Sequence, residues 1–125
     1  MYLYRNAYAI TPNEKEFKSM LKNDLILELD PKFIIRTMGE KGIDVLNSNL
    51  DLLETIHSRP VEVFNVSGAG DTVISILSYC IAKKNDIITA CKIANECAHY
   101  VVTKPGTSVV PRDLFDTIYI DCGGI

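Results

Sequence analysis

Apolar residues recur at helical spacing in two segments of the second half of the chain. They fall at i, i+3, i+4, i+7 and i+8 over residues 73–81, and the same spacing continues over residues 87–101. This period places the apolar side chains on one face of a helix, so it predicts two amphipathic helices. Small residues on the second face permit close packing against a neighbour: Ala90, Ala94 and Ala98.

The first half of the chain has shorter apolar and β-branched runs, which are typical of strands. We predict strands over residues 7–11, 32–37, 43–46, 52–58 and 61–66. Gly39 and Gly42 separate the second and third of these strands and indicate a tight, hairpin-like turn.

Two further helices are predicted to be short. Asn13 precedes a helix over residues 14–22, and Glu16 three residues later completes the pattern of a capping box. Residues 111–118 have Pro and Asp where a last helix would start. Because strands and helices alternate along the chain, the pattern predicts the α/β class.

Composition and charge exclude several classes of partner. The chain has 125 residues, of which 47% are hydrophobic and 23% charged, as in a single soluble domain. A net charge of −3 argues against nucleic acid or a membrane surface as the main partner. We find no signal peptide and no apolar run that could span a membrane. Two histidines far apart in sequence argue against a zinc site.

The four cysteines show no C-x-x-C spacing, and three of them lie on the apolar helical faces. We therefore expect reduced thiols in the core of a cytoplasmic protein. The cysteines are Cys80, Cys91, Cys97 and Cys122.

The stretch NVSGAGDT, residues 65–72, stands between a predicted strand and a predicted helix. Its glycines let successive N–H groups converge, and the first turn of a helix adds N–H groups without an intrahelical partner. Together they predict an anion site. Asp71 in the same turn could accept a proton from a hydroxyl, a combination that suits phosphoryl transfer. On this motif alone, a simple turn with an Asp cap is the alternative.

Three ordered motifs resemble those of the PfkB, or ribokinase-like, carbohydrate kinases. NVSGAGDTVIS resembles the C-terminal signature of that family, with Ile76 where the family usually has Ala or Gly. TPNEKEF (11–17) resembles its N-x-x-E element, and TMGEKG (37–42) its T-x-G-x-x-G element. Taken singly, the last two could be only a helix cap and a hairpin turn.

The resemblance implies a fold and a set of site residues. The fold would be part of a three-layer αβα sandwich of Rossmann-like type. Asp71 would be the catalytic base, and the backbone of Gly68, Ala69 and Gly70 would form the anion hole. Thr37, Gly39 and Gly42 would contact the nucleotide phosphates and ribose, and Asn95 and Gly106 would border the adenine pocket. Asn13 and Glu16 would organise Mg²⁺ and its waters. Asn65 and Ser67 would bind a monovalent cation such as K⁺. Asn65 stands where the family usually has Asp, and Asn95 could also be a polar residue on an exposed helix edge.

Three segments are similar to one branch of the family, the heptose-7-phosphate kinases: YRNAYAITPNEKEF, GAGDTVISIL and ACKIANECAHYVVTKPGTSVV. This resemblance implies transfer of phosphate from Mg-ATP to the anomeric hydroxyl of a heptose 7-phosphate, for ADP-heptose and lipopolysaccharide core synthesis. Alternatives are a family kinase for ribose, fructose or a fructose phosphate, a non-catalytic nucleotide-binding fragment, or a structural remnant that binds nothing.

The resemblance also implies that residues 1–125 are only part of a kinase domain. The sugar-binding half and its lid would lie N-terminal to these residues. We expect a parallel sheet cut midway, and such a sheet exposes an apolar edge. The sequence therefore predicts self-association, or dependence on a missing N-terminal half, and an isolated chain that does not turn over substrate.

Overall fold

A computed structural model describes residues 8–58, 69–104 and 109–125. The chain divides into two compact units, Met1–His57 and Ser58–Ile125, and each is described by itself. The predicted strand over residues 61–66 lies outside the described residues.

The first unit is a small sheet with two helices. Its elements in chain order are β1 (Ala9–Ile10), α1 (Glu14–Lys22), α2 (Leu25–Leu29), β2 (Phe33–Thr37), a 3-10 turn (Gly39–Lys41), β3 (Ile43–Asn47) and β4 (Leu52–Ile56). The predicted helix over 14–22 is confirmed, whereas α2 was not predicted. Helix α2 has only five residues, and aspartates with positive φ precede and follow it in place of glycine.

The four described strands form one sheet in the order β1-β2-β3-β4. Strands β1 and β2 are parallel, but β2–β3 and β3–β4 are antiparallel. The expectation of a parallel sheet is therefore wrong for most of these strands. The reason is local, because the predicted turn at Gly39–Gly42 reverses the chain and pairs β2 directly with β3.

An apolar cluster among the described residues holds α1 and α2 against β1, β2 and β3. Helix α1 contributes Phe17 and Met20 from its buried face, and burial of such side chains stabilises a fold by about 1.5–3 kcal/mol each. The remaining members are Ile10, Ile26, Leu29, Ile34 and Leu46.

The second unit is helical in its described part. It contains α3 (Ala69–Ala82), α4 (Ile87–Val102) and α5 (Arg112–Asp121). The three helices predicted by the apolar period and by Pro111 are confirmed, although Pro111 occupies the N-cap of α5 and not its first turn. At the start of α4, the N–H and hydroxyl of Thr89 both bond to Asp86, and these bonds lower the pKa of that carboxyl.

Helices α3 and α4 pack against each other, and α4 is buried along most of its length. Ala90 and Ala94 are fully buried, as their small size predicts. All four cysteines are free thiols, and three lie in the interior. Burial raises the pKa of Cys80 to about 11 and the pKa values of Cys91 and Cys97 to about 12.

The last residues of the chain bind the loop between α3 and α4. The buried Asn85 donates from Nδ2 to the Cys80 carbonyl (3.1 Å) and to the Tyr119 hydroxyl (2.8 Å). The Ile125 N–H donates to Oδ1 of Asn85 at 2.9 Å. These bonds fasten the C-terminal end of α5 to α3. No described helix has the length and hydropathy needed to cross a membrane.

Candidate active site

Asn13 and Glu16 form the predicted capping box at the start of α1. The Glu16 N–H donates to Oδ1 of Asn13 at 2.8 Å, and the Asn13 N–H donates to Oε1 of Glu16 at 2.9 Å. These bonds satisfy two N–H groups that the helix leaves unpaired. They use one carboxylate oxygen of Glu16, so Oε2 is left for a further ligand. The cap and a magnesium-facing role are therefore compatible.

The structure brings the N-x-x-E and T-x-G elements together. The Thr37 N–H donates to the Pro12 carbonyl at 3.0 Å, and Asn13 pairs with Thr37 in a parallel bridge. A surface hollow of about 430 Å³ lies at this junction. Asn13, Thr37 and Gly39 line it, whereas Glu16 and Gly42 do not. Two lysines and two glutamates also line it: Glu14, Lys15, Glu40 and Lys41. Two motifs that are more than twenty residues apart in sequence thus share one hollow.

The turn that borders the hollow depends on its glycines. Gly39 has φ of 56° and Gly42 has φ of 103°, a region that side-chain-bearing residues rarely adopt. The Met38 N–H closes the turn by donating to the Gly42 carbonyl at 2.9 Å. A Cβ at Gly39 would meet no described atom within 4 Å, so the backbone there is open to a close-lying group.

A polar cluster that we did not predict lies across the strands that carry this turn. Arg36 forms an ion pair with Asp44, and the Thr55 hydroxyl donates to Oδ1 of Asp44 at 2.7 Å. Burial would by itself raise the pKa of Asp44, but the hydrogen bonds from Arg36 and Thr55, with the charge of Arg36, lower it. The sequence positions could have indicated this ion pair, because Arg36 and Asp44 stand opposite each other across the predicted hairpin.

In the second unit, Asp71 lies in the first turn of α3. The residues SGAGD were predicted as a turn before the helix, but the helix already begins at Ala69. Ala69, Gly70 and Asp71 therefore belong to the first turn, where N–H groups have no intrahelical partner and the helix dipole is positive. Asp71 is exposed, and a Cβ at Gly70 would meet no described atom within 4 Å.

A cavity of about 640 Å³ adjoins Asp71 along one side of α3. Thr72, Tyr79, Arg112 and Phe115 are among the residues that line it. The rings of Tyr79 and Phe115 meet edge to face, with centroids 5.5 Å apart, and so join α3 to α5 beside the cavity. The carboxylate is thus accessible from a space large enough for a small molecule.

Asn95 lies inside α4 and not on an exposed edge. It is only 7% exposed, so the alternative of a polar residue on an exposed helix edge is wrong. Its Oδ1 accepts a hydrogen bond from the Ser58 hydroxyl at 3.0 Å. A buried amide needs such partners, and here they fix the side chain.

Four predicted site residues lie outside the described residues: Asn65, Ser67, Gly68 and Gly106. Asp71 and the Asn13–Thr37 hollow belong to different units. Among the described residues, no group of three or more His, Cys, Asp and Glu side chains could hold a metal. Asn13 and Glu16 offer oxygen ligands, which is the ligand type that Mg²⁺ takes while it keeps several of its waters.

Comparison with protein-family models identifies a family that covers most of the chain. The family model described as "pfkB family carbohydrate kinase" matches residues 1–113. Among curated proteins, "Bifunctional protein HldE" of Campylobacter jejuni (strain RM1221) is 36% identical, with 88% of this chain and 26% of the relative covered. The protein of the same name from Shewanella sediminis (strain HAW-EB3) is 39% identical, with 87% and 25% covered. The chain thus spans about a quarter of the length of these relatives.

Solved structures of sugar kinases share the fold. Ribokinase from Thermotoga maritima superimposes with a TM-score of 0.76 at 22% identity, covering 90% of this chain and 42% of that chain. Phosphofructokinase-2 from Escherichia coli in complex with potassium gives a TM-score of 0.78 at 16% identity, with 94% and 42% covered. Fructokinase from Vibrio cholerae O395, bound to fructose, ADP and calcium ion, gives 0.74 at 21% identity, with 90% and 41% covered. The predicted ribokinase-like α/β fold is confirmed.

Proposed function

Because the chain belongs to the pfkB family of carbohydrate kinases, we propose that it supplies the nucleotide site and the catalytic base of an ATP-dependent sugar kinase. The observation that carries this proposal is the position of Asp71 in the first turn of α3, beside an open cavity. A helix N-terminus stabilises negative charge there, and the carboxylate accepts a proton.

In this proposal, Asp71 orients the acceptor hydroxyl of the sugar and takes its proton as the oxygen attacks the γ-phosphorus of ATP. The backbone N–H groups of Gly68, Ala69 and Gly70 hold the charge on the phosphoryl group as it moves to the sugar, and ADP leaves. Positioning and charge stabilisation account for most of such catalysis, since phosphoryl transfer requires little covalent chemistry from the protein.

We assign the nucleotide to Thr37, Gly39 and Gly42, with Asn95 and Gly106 beside the adenine. Support comes from the hollow at Thr37 and from the open space at Gly39. Magnesium, when bound, neutralises phosphate charge, and Asn13 and Glu16 would hold its waters. A K⁺-type cation near Asn65 and Ser67 is part of the same proposal, and phosphofructokinase-2 of E. coli has been solved with potassium.

The proposed acceptor is the anomeric hydroxyl of a heptose 7-phosphate, in ADP-heptose and lipopolysaccharide core synthesis in the cytoplasm. What supports this choice is the level of similarity. The relatives named "Bifunctional protein HldE" are 36% and 39% identical to this chain, whereas ribokinase and fructokinase neighbours reach 22% and 21%.

The test measures ADP release from Mg-ATP with each of four acceptors: heptose 7-phosphate, ribose, fructose and fructose 6-phosphate. We expect ADP release only with the heptose phosphate. The assay mixture also supplies any missing sugar-binding half. Asp71→Asn should abolish turnover but largely keep Mg-ADP affinity, because the amide retains the shape of the side chain and loses the base.

Asp116→Asn is the matched control, since this aspartate lines the same cavity without standing in the first turn of α3. It should retain turnover. If Asp71→Asn spared turnover, the assignment of Asp71 as the base would be wrong.

A nucleotide-binding module without catalysis is the second candidate for the 125 residues. The observation that favours it is that the Asn13 and Thr37 elements pair and line one hollow within the first unit. Calorimetric titration with Mg-ADP tests this candidate. Binding without sugar-dependent ADP release supports it, and absence of binding contradicts both candidates.

A further inference from the structure

Three polar side chains stand in register across β2, β3 and β4. Arg36 pairs with Asp44, and Asp44 pairs with Thr55, so the three lie side by side at neighbouring positions of the sheet. Arg36 contacts Asp44 through its guanidinium, and Thr55 donates to the other carboxylate oxygen at 2.7 Å. Each contact joins two strands, so the cluster ties three strands together.

The central carboxylate of this cluster is buried. Asp44 is 6% exposed, and a buried carboxylate requires partners that satisfy both of its oxygens. Nε of Arg36 is also buried and has no hydrogen-bond partner among the described residues. The guanidinium is therefore held by its bond to Asp44 and not by a bond at Nε.

Arg36 also contacts α1. Its guanidinium carbon lies 4.9 Å from the centroid of the Phe17 ring, within the range of a cation–π contact. Phe17 is one residue after Glu16, and its N–H donates to the Asn13 carbonyl at 2.8 Å. One side chain thus contacts both β3 and the first turn of the helix that carries the N-x-x-E element.

The next residue after Arg36 is Thr37, whose N–H bonds to the Pro12 carbonyl. We propose that Arg36 is a positioning residue that holds the Asn13–Glu16 element against the Thr37–Gly42 turn, so that both can face the same nucleotide phosphates. This inference rests on the proposed function for its ligand. Its geometric part concerns only the junction at Thr37 and can be measured without a ligand.

The experiment compares variants of the 125-residue chain. Arg36→Met keeps the stem over Phe17 but leaves Asp44 buried and unpaired, so it can fail to fold. The double variant Arg36→Met/Asp44→Asn removes both charges and keeps an amide oxygen for Thr55. Ile26→Val is the stability control, because Ile26 lies in the apolar cluster that contains Phe17 and takes no part in the Arg36–Asp44 ion pair. Arg36→Lys, which restores a charge without the planar group, tests for partial rescue.

The first readout is hydrogen exchange of the Thr37 amide, which reports on the bond to Pro12. We expect the double variant to exchange about tenfold faster than the Ile26→Val control at this amide, and equally fast in α4. The second readout is Mg-ADP affinity by calorimetry. We expect affinity roughly tenfold weaker in the double variant, unchanged in Ile26→Val and intermediate in Arg36→Lys.

The outcomes separate the two claims. Faster Thr37 exchange with weaker ADP binding supports both. If the wild type binds no ADP but Thr37 still exchanges faster in the double variant, the positioning role is supported and the nucleotide site is contradicted. If the double variant matches the control in Thr37 exchange, Arg36 does not position this junction, whatever the affinity for ADP.

Discussion

Single residues of the first unit combine a structural and a proposed chemical role. Asn13 and Glu16 cap α1 with bonds of 2.8 and 2.9 Å, and the same side chains are those proposed to face magnesium. A substitution there changes helix stability and ligand binding together. Such residues are poor sites for separating the two effects, so backbone strain is better measured at glycines by unfolding without a ligand.

Gly42→Ala should destabilise the chain by about 1–3 kcal/mol, because φ of 103° and ψ of −141° are strained for a residue with a Cβ. Gly39→Ala is the matched control. Its φ of 56° lies in the left-handed helical region, and its Cβ would meet no described atom within 4 Å, so the loss should be smaller. Urea unfolding followed by circular dichroism measures both. Equal losses would contradict the argument from backbone strain.

Sequence patterns predicted the site residues unevenly at this scale. The capping box is a local signal, since both of its bonds join residues three apart, and it was read correctly. Arg36 and Asp44 were missed because a charge inside an apolar run says nothing until the hairpin register pairs it with a partner. Asn95 was open to two interpretations because a 3.6-residue period does not show how much of a helix is covered.

At the scale of elements, the longest patterns were the most reliable predictors. Helices α3 and α4 repeat their apolar positions over several turns, which distinguishes them from a chance pattern. Helix α2 has five residues and no helical repeat to detect. The hairpin predicted from Gly39 and Gly42 is confirmed by the antiparallel pairing of β2 and β3. The expectation of a parallel sheet, which came from the α/β class, holds for β1–β2 and is wrong for β2–β3 and β3–β4.

Ala94→Leu should destabilise the chain by about 1–3 kcal/mol. Ala94 is fully buried in α4, and a larger side chain would force its neighbours apart. Lys92→Leu adds leucine at an exposed position of the same helix and should change stability by no more than about 0.5 kcal/mol. Thermal unfolding measures both. A tolerated Ala94→Leu would show that the packing of α4 has room for a larger residue.

At the scale of the whole molecule, buried thiols make stability depend on alkaline pH. Burial raises the pKa of Cys80 to about 11 and of Cys91 to about 12, from an ordinary value of 9.0. The folded state therefore disfavours thiolates. These groups leave stability unchanged below pH 9 and reduce it progressively as pH rises from about 9 to about 12.

Urea midpoints between pH 7 and pH 11, in the presence of a reductant, measure this dependence. Lysine and tyrosine also titrate in this range, so the comparison is with Cys91→Ala. That variant should lose less stability per pH unit above pH 9 than the wild type. Identical slopes would contradict a role for the Cys91 thiol.

The fold also bears on whether the chain self-associates. Strand β4 is an edge of the described sheet, and Leu52 and Leu53 on it are both exposed. Apolar residues on an edge strand favour pairing with another chain. We expect sedimentation velocity to show species larger than a monomer, and Leu53→Lys to reduce them. Glu54→Lys on the same strand is the control for added charge. A monodisperse monomer that unfolds cooperatively would contradict this expectation.

Gly70 has a consequence for how alleles of this gene would behave. A methyl group there would meet no described atom within 4 Å, and alanine is the better helix former, so the encoded protein should accumulate normally. If the proposed function is right, the same methyl group would stand where the phosphoryl group approaches the start of α3. A screen for expression level would accept this allele, whereas a screen for sugar kinase activity would reject it. Natural variation at this codon would therefore record selection for the ligand, separately from selection for folding.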